Sequence, residues 1–140
     1  MSAGPDGPVP RPPVVAVGGI AVVDDALLMV QRATPPAVGC WTVPGGRVEA
    51  GESVTAAVER ELFEETALEV RCGPFVGWAE RRGGGHHFVI LDFAVTVTGN
   101  TTPTAGGDAA AVAWVPRTEV AALHLVDGLE EFLLEHGVLV

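Results

Sequence analysis

The chain of 140 residues contains no lysine and no tyrosine, and its eight basic residues are all arginine. Eighteen Asp and Glu oppose them, for a formal charge of −10. A nucleic-acid backbone or an anionic bilayer would be repelled by that balance, so neither a nucleic-acid polymer nor a membrane is expected as a partner. Cysteine is scarce: Cys40 and Cys72 cannot build a disulfide framework, and neither sits in a Cys/His metal spacing. Long apolar runs are missing too. The longest, residues 14–23, stops at Asp24-Asp25 and is about half the roughly 20 residues a membrane-spanning helix needs. The first residues show no basic stretch leading into an apolar one, as a secretory signal would. A cytoplasmic protein is expected.

What is present suits one packed domain. Hydrophobic residues make up 48% of the chain, enough for a core. Residues 1–13 carry five prolines and read as a disordered or extended leader, with the domain spanning 14–140. The β-rich runs 14–23 and 26–32 flank Asp24-Asp25 as a hairpin. Residues 42–51 hold three glycines and a proline and leave room only for very short strands. Residues 53–66 lack Gly and Pro and form the clearest helix. Runs 68–82 and 86–98 flank a triple glycine as a second hairpin, 112–115 is a short strand, and 118–136 is mostly helical. Strands, helix, strands, helix predicts an α+β fold with a mixed β-sheet between helices, an α/β/α sandwich.

Seven of the eighteen carboxylates fall between Gly46 and Glu69, opposed there only by Arg47 and Arg60. On the helix, Glu61, Glu64 and Glu65 are spaced by three and four, within roughly a third of the circumference. Like charges at that spacing destabilise a helix, and Glu64 and Glu65 also approach the negative end of its dipole. Local consistency is broken at one place, which points to a functional site. Clustered hard oxygen ligands would suit Mg²⁺ or Mn²⁺. A solvated acidic face would explain Glu59 or Glu69. It explains the triple less well, because the same face runs back through Val54, Ala57 and Val58.

Gly46, then Glu52, Arg60-Glu61-Leu62, Glu64-Glu65 and Ala67-Leu68 follow at intervals that resemble the Nudix box. One position departs, with Ala67 where the family has Gly. The flanking Pro44-Gly45-Gly46 and Trp114-Val115-Pro116 are similar to the family as well, so the likeness covers roughly residues 14–136. Ala67 supplies no ligand. If it keeps the left-handed geometry that a helix-ending glycine adopts, its Cβ costs on the order of 1 kcal/mol.

The resemblance implies metal-dependent hydrolysis of a pyrophosphate bond in a nucleoside diphosphate linked to another moiety, with an ADP-ribose-like substrate favoured. A nucleoside triphosphate pyrophosphohydrolase of the MutT type is the alternative, and a non-catalytic nucleotide sensor a further one. It assigns Glu61, Glu64 and Glu65 as metal ligands, with a carbonyl of Gly45 or Gly46. Arg60 would pair with Glu52 and aim the carboxylates. The general base is left open among Glu61, Asp108 and Glu80, with Glu61 preferred. Arg32, Arg81, Arg82, His86 and His87 could meet a phosphate or ribose, or be solvated strand ends. Trp78 and Phe88 could stack a base or lie in the core. Many relatives dimerise, so a homodimer is open.

Overall fold

A computed structural model of the protein describes residues 11–140. Most of the expected leader lies outside that range; residues 11–13 are exposed and without regular structure. Among the described residues no helix is long and apolar enough to cross a membrane.

The described residues form eight strands and two α-helices: β1 (Val14–Ile20), β2 (Val22–Val23), β3 (Ala26–Arg32), β4 (Trp41–Thr42), β5 (Gly45–Arg47), α1 (Val54–Thr66), β6 (Val70–Gly83), β7 (His86–Val97), β8 (Ala109–Pro116) and α2 (Leu129–Glu135). A mixed sheet has the order β5-β1-β7-β6, with β1 parallel to β7 and the other pairs antiparallel. A second, antiparallel sheet joins β2, β3 and β4, with β8 on the other edge of β3.

The strand β3 shows why the layers stack as they do. Leu27, Leu28, Met29 and Val30 are all buried, so both faces of the strand are covered. Leu28 points into a core with Val17, Ala57, Val58, Leu62, Leu68 and Phe93, built under α1. Leu27 and Met29 point the other way, into a core with Val120, Phe132, Leu133 and Leu139 from the C-terminal region. This is the expected sandwich of sheet between helices. Truncating Leu62, which is fully buried, to Ala would cost about 2–5 kcal/mol.

The first hairpin is smaller than the run 14–23 suggests. Asp24 and Asp25 both take positive φ, as a two-residue turn requires, but only β2 folds back on β3. β1 leaves for the mixed sheet, where its full length pairs with β7. The segment 118–136 is helical in two pieces: a 3₁₀ turn, Arg117–Ala122, and the seven-residue α2. β8 extends beyond the expected 112–115 because its full length has β3 to pair with.

Candidate active site

Helix α1 begins and ends on side-chain and backbone chemistry that its sequence encodes. Ser53 caps the start, its hydroxyl accepting the Ala56 N–H at 3.1 Å. At the other end Ala67 takes φ 62° and donates its N–H to the Phe63 carbonyl. This is the left-handed cap that glycine fits without penalty, held here by a residue with a Cβ.

The last turn is then covered by the loop before β8. The Gly106 N–H donates to the Glu65 carbonyl at 3.1 Å, and the Thr104 N–H to the Thr66 carbonyl at 2.9 Å. These bonds satisfy carbonyls that a helix end leaves unpaired. A Cβ at Gly106 would fall 2.6 Å from the Glu64 carbonyl oxygen, so only glycine permits the approach. Docking the loop brings Asp108 close enough to raise the carboxyl pKa values of both Glu61 and Glu65.

Glu65 is buried, and its Oε1 accepts the Gly45 N–H at 2.8 Å. Burial pushes its carboxyl up to about 7, against the lowering effect of the Gly45 hydrogen bond; the charges of Glu61 and Asp108 raise it further, and Arg32 lowers it. The Glu61 carboxylate occupies the space where a Cβ on Gly46 would sit. Its pKa is also raised, first by burial, with Arg60 acting in the opposite direction. The paired glycines therefore make a cradle in which two carboxylates meet strand β5.

Arg60 holds the remaining acids. Its Nε and Nη2 donate to the two oxygens of Glu52 at 2.6 and 2.9 Å, in a bidentate pair. Nη1 donates to Glu61 at 2.9 Å and to Glu64 at 3.2 Å, while Nη2 also reaches the Arg47 carbonyl at 3.0 Å. The Arg60 hydrogen bonds hold the Glu52 carboxyl down at about 2, helped by the Glu49 N–H. The guanidinium is in turn pushed above its usual value, chiefly by Glu52.

The trio expected from the helix spacing is thus divided. Glu65 leans on Gly45, while Glu61 and the more exposed Glu64 share Arg60. Among the described residues no three His, Cys, Asp or Glu side chains are gathered closely enough to hold an ion as they stand. The donor chemistry nevertheless fits a divalent cation: three carboxylates and the carbonyls of Gly45 and Gly46 supply hard oxygens. A cation there would relieve the like-charge crowding that Arg60, and for Glu65 Arg32, now offset.

Other expected residues lie elsewhere. Arg32 is near enough to act on Glu65, while its Nε donates to the Pro36 carbonyl at 2.6 Å. Arg82, His87 and Glu80 sit towards the β6–β7 turn, where His87 Nε2 donates to Glu80 at 2.6 Å, whereas the Arg81 guanidinium lies beside Gly128 and acts on Asp92. Along β7, His87 is five residues from Asp92, which pairs with Gly18 beside Gly45; that is roughly 16 Å of strand. Trp78 is exposed, whereas Trp41 and Trp114 pack against the two cores.

Sequence reasoning passed over Asp92. It is 4% exposed, and its Oδ1 is a buried side-chain atom without a hydrogen-bond partner. The side chain fills the place where Gly18 lacks a Cβ. Burial pushes its carboxyl up to about 6, although Arg81 and His136 pull it down. The signal was a lone acid inside the apolar run of β7.

A family model described as NUDIX domain matches residues 12–135. The chain is 38% identical over 99 residues to the ADP-ribose pyrophosphatase of Methanocaldococcus jannaschii, covering 69% of this chain and 58% of that protein. It therefore spans little more than half the length of that relative. It is 32% identical over 124 residues to a MutT-like protein of Streptomyces ambofaciens, covering 83% of this chain and 77% of the relative. The fold matches the crystal structure of a MutT NUDIX hydrolase from Burkholderia pseudomallei with a TM-score of 0.80 at 25% identity, over 90% of this chain and 98% of the other. The chain belongs to the Nudix family.

Proposed function

We propose that the protein hydrolyses a pyrophosphate bond in a nucleoside diphosphate linked to another moiety, with an ADP-ribose-like substrate favoured, and that the reaction needs Mg²⁺ or Mn²⁺. The observation that carries this reading is the meeting of α1 and β5. Glu65 grips the Gly45 amide, Glu61 fills the space over Gly46, and Arg60 braces Glu61 and Glu64 from Glu52. Glu61, Glu64 and Glu65, with a carbonyl of Gly45 or Gly46, would hold the cation. When bound, a divalent ion would neutralise phosphate charge and acidify a water.

The chain's own residues supply positioning and proton transfer. Arg60 fixes the carboxylates by bonds to three glutamates, and the Glu52 pair sets its orientation. Glu61 is the preferred base: its partly buried carboxylate has a raised proton affinity, and an Oε could accept the proton of the attacking water. Asp108, carried to the site by the docked loop, is the second candidate. Glu80 is a weaker one, since its carboxylate is engaged by His87.

The names of the relatives support both an ADP-ribose substrate and the triphosphate alternative of the MutT type. Incubation with ADP-ribose, other nucleoside diphosphate derivatives and nucleoside triphosphates, each with Mg²⁺ and with Mn²⁺, separates them by product. AMP plus ribose 5-phosphate supports the favoured reading. A nucleoside monophosphate plus pyrophosphate supports the alternative. No turnover on any member of the panel, with either metal, would reject the enzyme reading.

A further inference from the structure

Among the described residues the acidic chain carries a cleft of opposite character. Arg11, Val14, Arg47, His86, His87 and Phe88 line a cavity of about 140 Å³. None of its lining residues is acidic, although the Glu80 carboxylate is bonded to the lining His87 at 2.6 Å. Two of eight arginines and two of four histidines converge there in a protein of net charge −10. That concentration does not follow from composition.

The cleft is also organised. The Arg47 guanidinium carbon lies 5.6 Å from the centroid of Phe88, over its ring. The His86 ring stacks on the same Phe88 at 5.7 Å, with 13° between the planes. Phe88 thus packs against both a guanidinium and an imidazole. His87 is held by its bond to Glu80, which fixes the ring. Among the described residues Arg47 makes no ion pair, unlike Arg60 and Arg117. Its charge is available to a ligand.

We propose that this cleft binds a phosphate-class oxyanion, at a place separate from the glutamates of α1. An oxyanion matches fixed N–H donors and positive charge, and Arg47 provides a planar fork for it. The sheet register gives the separation. Gly45 pairs with Gly18, and Phe88 pairs with Val14, so the two lie four residues apart along β1, about 13 Å. Arg47 itself pairs with Ala16, between the two, and extends its side chain to the cleft from there. The oxyanion is either a second phosphate on the substrate, remote from the scissile linkage, or a free phosphate. Binding by the cleft stands on its own geometry; the link to a substrate rests on the hydrolase reading above.

The test uses the full-length chain, isotopically labelled and metal-free. Sodium phosphate is titrated at constant ionic strength, with chloride as the control, and side-chain signals of Arg47 and His86 are followed by NMR. Saturable shifts with phosphate, absent with chloride, lost in Arg47→Gln and regained in part in Arg47→Lys, are expected. Shifts that are linear, equal with chloride, or unchanged in Arg47→Gln would overturn the proposal. A second arm identifies the source. Nucleoside diphosphate derivatives with and without a phosphate on the remote sugar are compared for KM. A KM about tenfold lower with the remote phosphate, in the native chain but not in Arg47→Gln, assigns the oxyanion to the substrate. Equal KM values alongside saturable phosphate binding assign it to a free anion. Because the titration needs neither metal nor turnover, it can fail or succeed independently of the hydrolase reading.

Discussion

The Gly45 amide and the buried Glu65 carboxylate meet at 2.8 Å across twenty residues of chain. That bond ties the short strand β5 to the last turn of α1. It also places a carboxylate whose proton affinity is raised by burial beside two other acids. A charge is costly in such a place unless a cation or a hydrogen-bond donor compensates it.

Glu65→Gln keeps an acceptor for Gly45 and removes the charge. Metal-dependent turnover should fall by about 100-fold or more. The metal-free melting temperature should not fall, because the charge lost is one that burial disfavours. Initial rates and thermal melts check both halves. Near-native turnover in this variant and in Glu64→Gln would end the assignment of these carboxylates to a metal.

Arg60→Ala should lower turnover and the metal-free melting temperature together. It leaves Glu52, Glu61 and Glu64 crowded without their shared cation. Added Mg²⁺ should then raise the melting temperature of the variant more than that of the native chain, since binding to the folded state supplies the missing charge. Equal Mg²⁺ shifts in the two proteins would show that Arg60 and the metal do not answer the same electrostatic need.

Ala67→Gly should stabilise the protein. At φ 62° a Cβ costs on the order of 1 kcal/mol, which exceeds the extra unfolded-chain freedom of glycine at such a position. A rise of roughly 1–2 °C in melting temperature is expected, with turnover unaltered. A lower melting temperature would contradict the reading of Ala67 as a strained cap.

Asp92 gives a pH dependence of defined sign. Its carboxyl has a folded-state pKa of about 6 against an ordinary value of 3.8. Between those values the folded chain keeps a proton that the unfolded chain has released, so stability falls as pH rises through this window. Arg81 and His136, which face the carboxyl, oppose the effect without cancelling it. Asp92→Asn should therefore gain stability relative to the native chain as pH goes from 4 to 7. Chemical denaturation at several pH values, native against variant, measures this difference directly.

The clearest elements in the sequence were those set by local chemistry. The run 53–66, without Gly or Pro, marks α1 without reference to the rest of the chain, while its end at Ala67 was pointed to by the resemblance to the Nudix box. The pairing of Glu52 with Arg60 came from the resemblance to the Nudix box, and Glu52 at the helix start favoured it. The sheet assignments were harder. Residues 14–23 are apolar throughout, and nothing local says that β1 pairs with β7, more than seventy residues away. The Arg47 cleft was hidden for the same reason, since it assembles only when β1, β5 and β7 lie side by side. Asp92 was visible as a residue, but its burial depends on Gly18 in a neighbouring strand.

Where a divalent ion sits is the most direct question, and Mn²⁺ answers it by broadening nearby NMR signals. Titrated in substoichiometric amounts into the labelled full-length chain, Mn²⁺ should first erase the amide signals of Gly45, Gly46, Glu61 and Glu65, and this pattern should disappear in a Glu61→Gln, Glu65→Gln double variant. Broadening that starts elsewhere, or that persists unchanged in the double variant, would contradict the account.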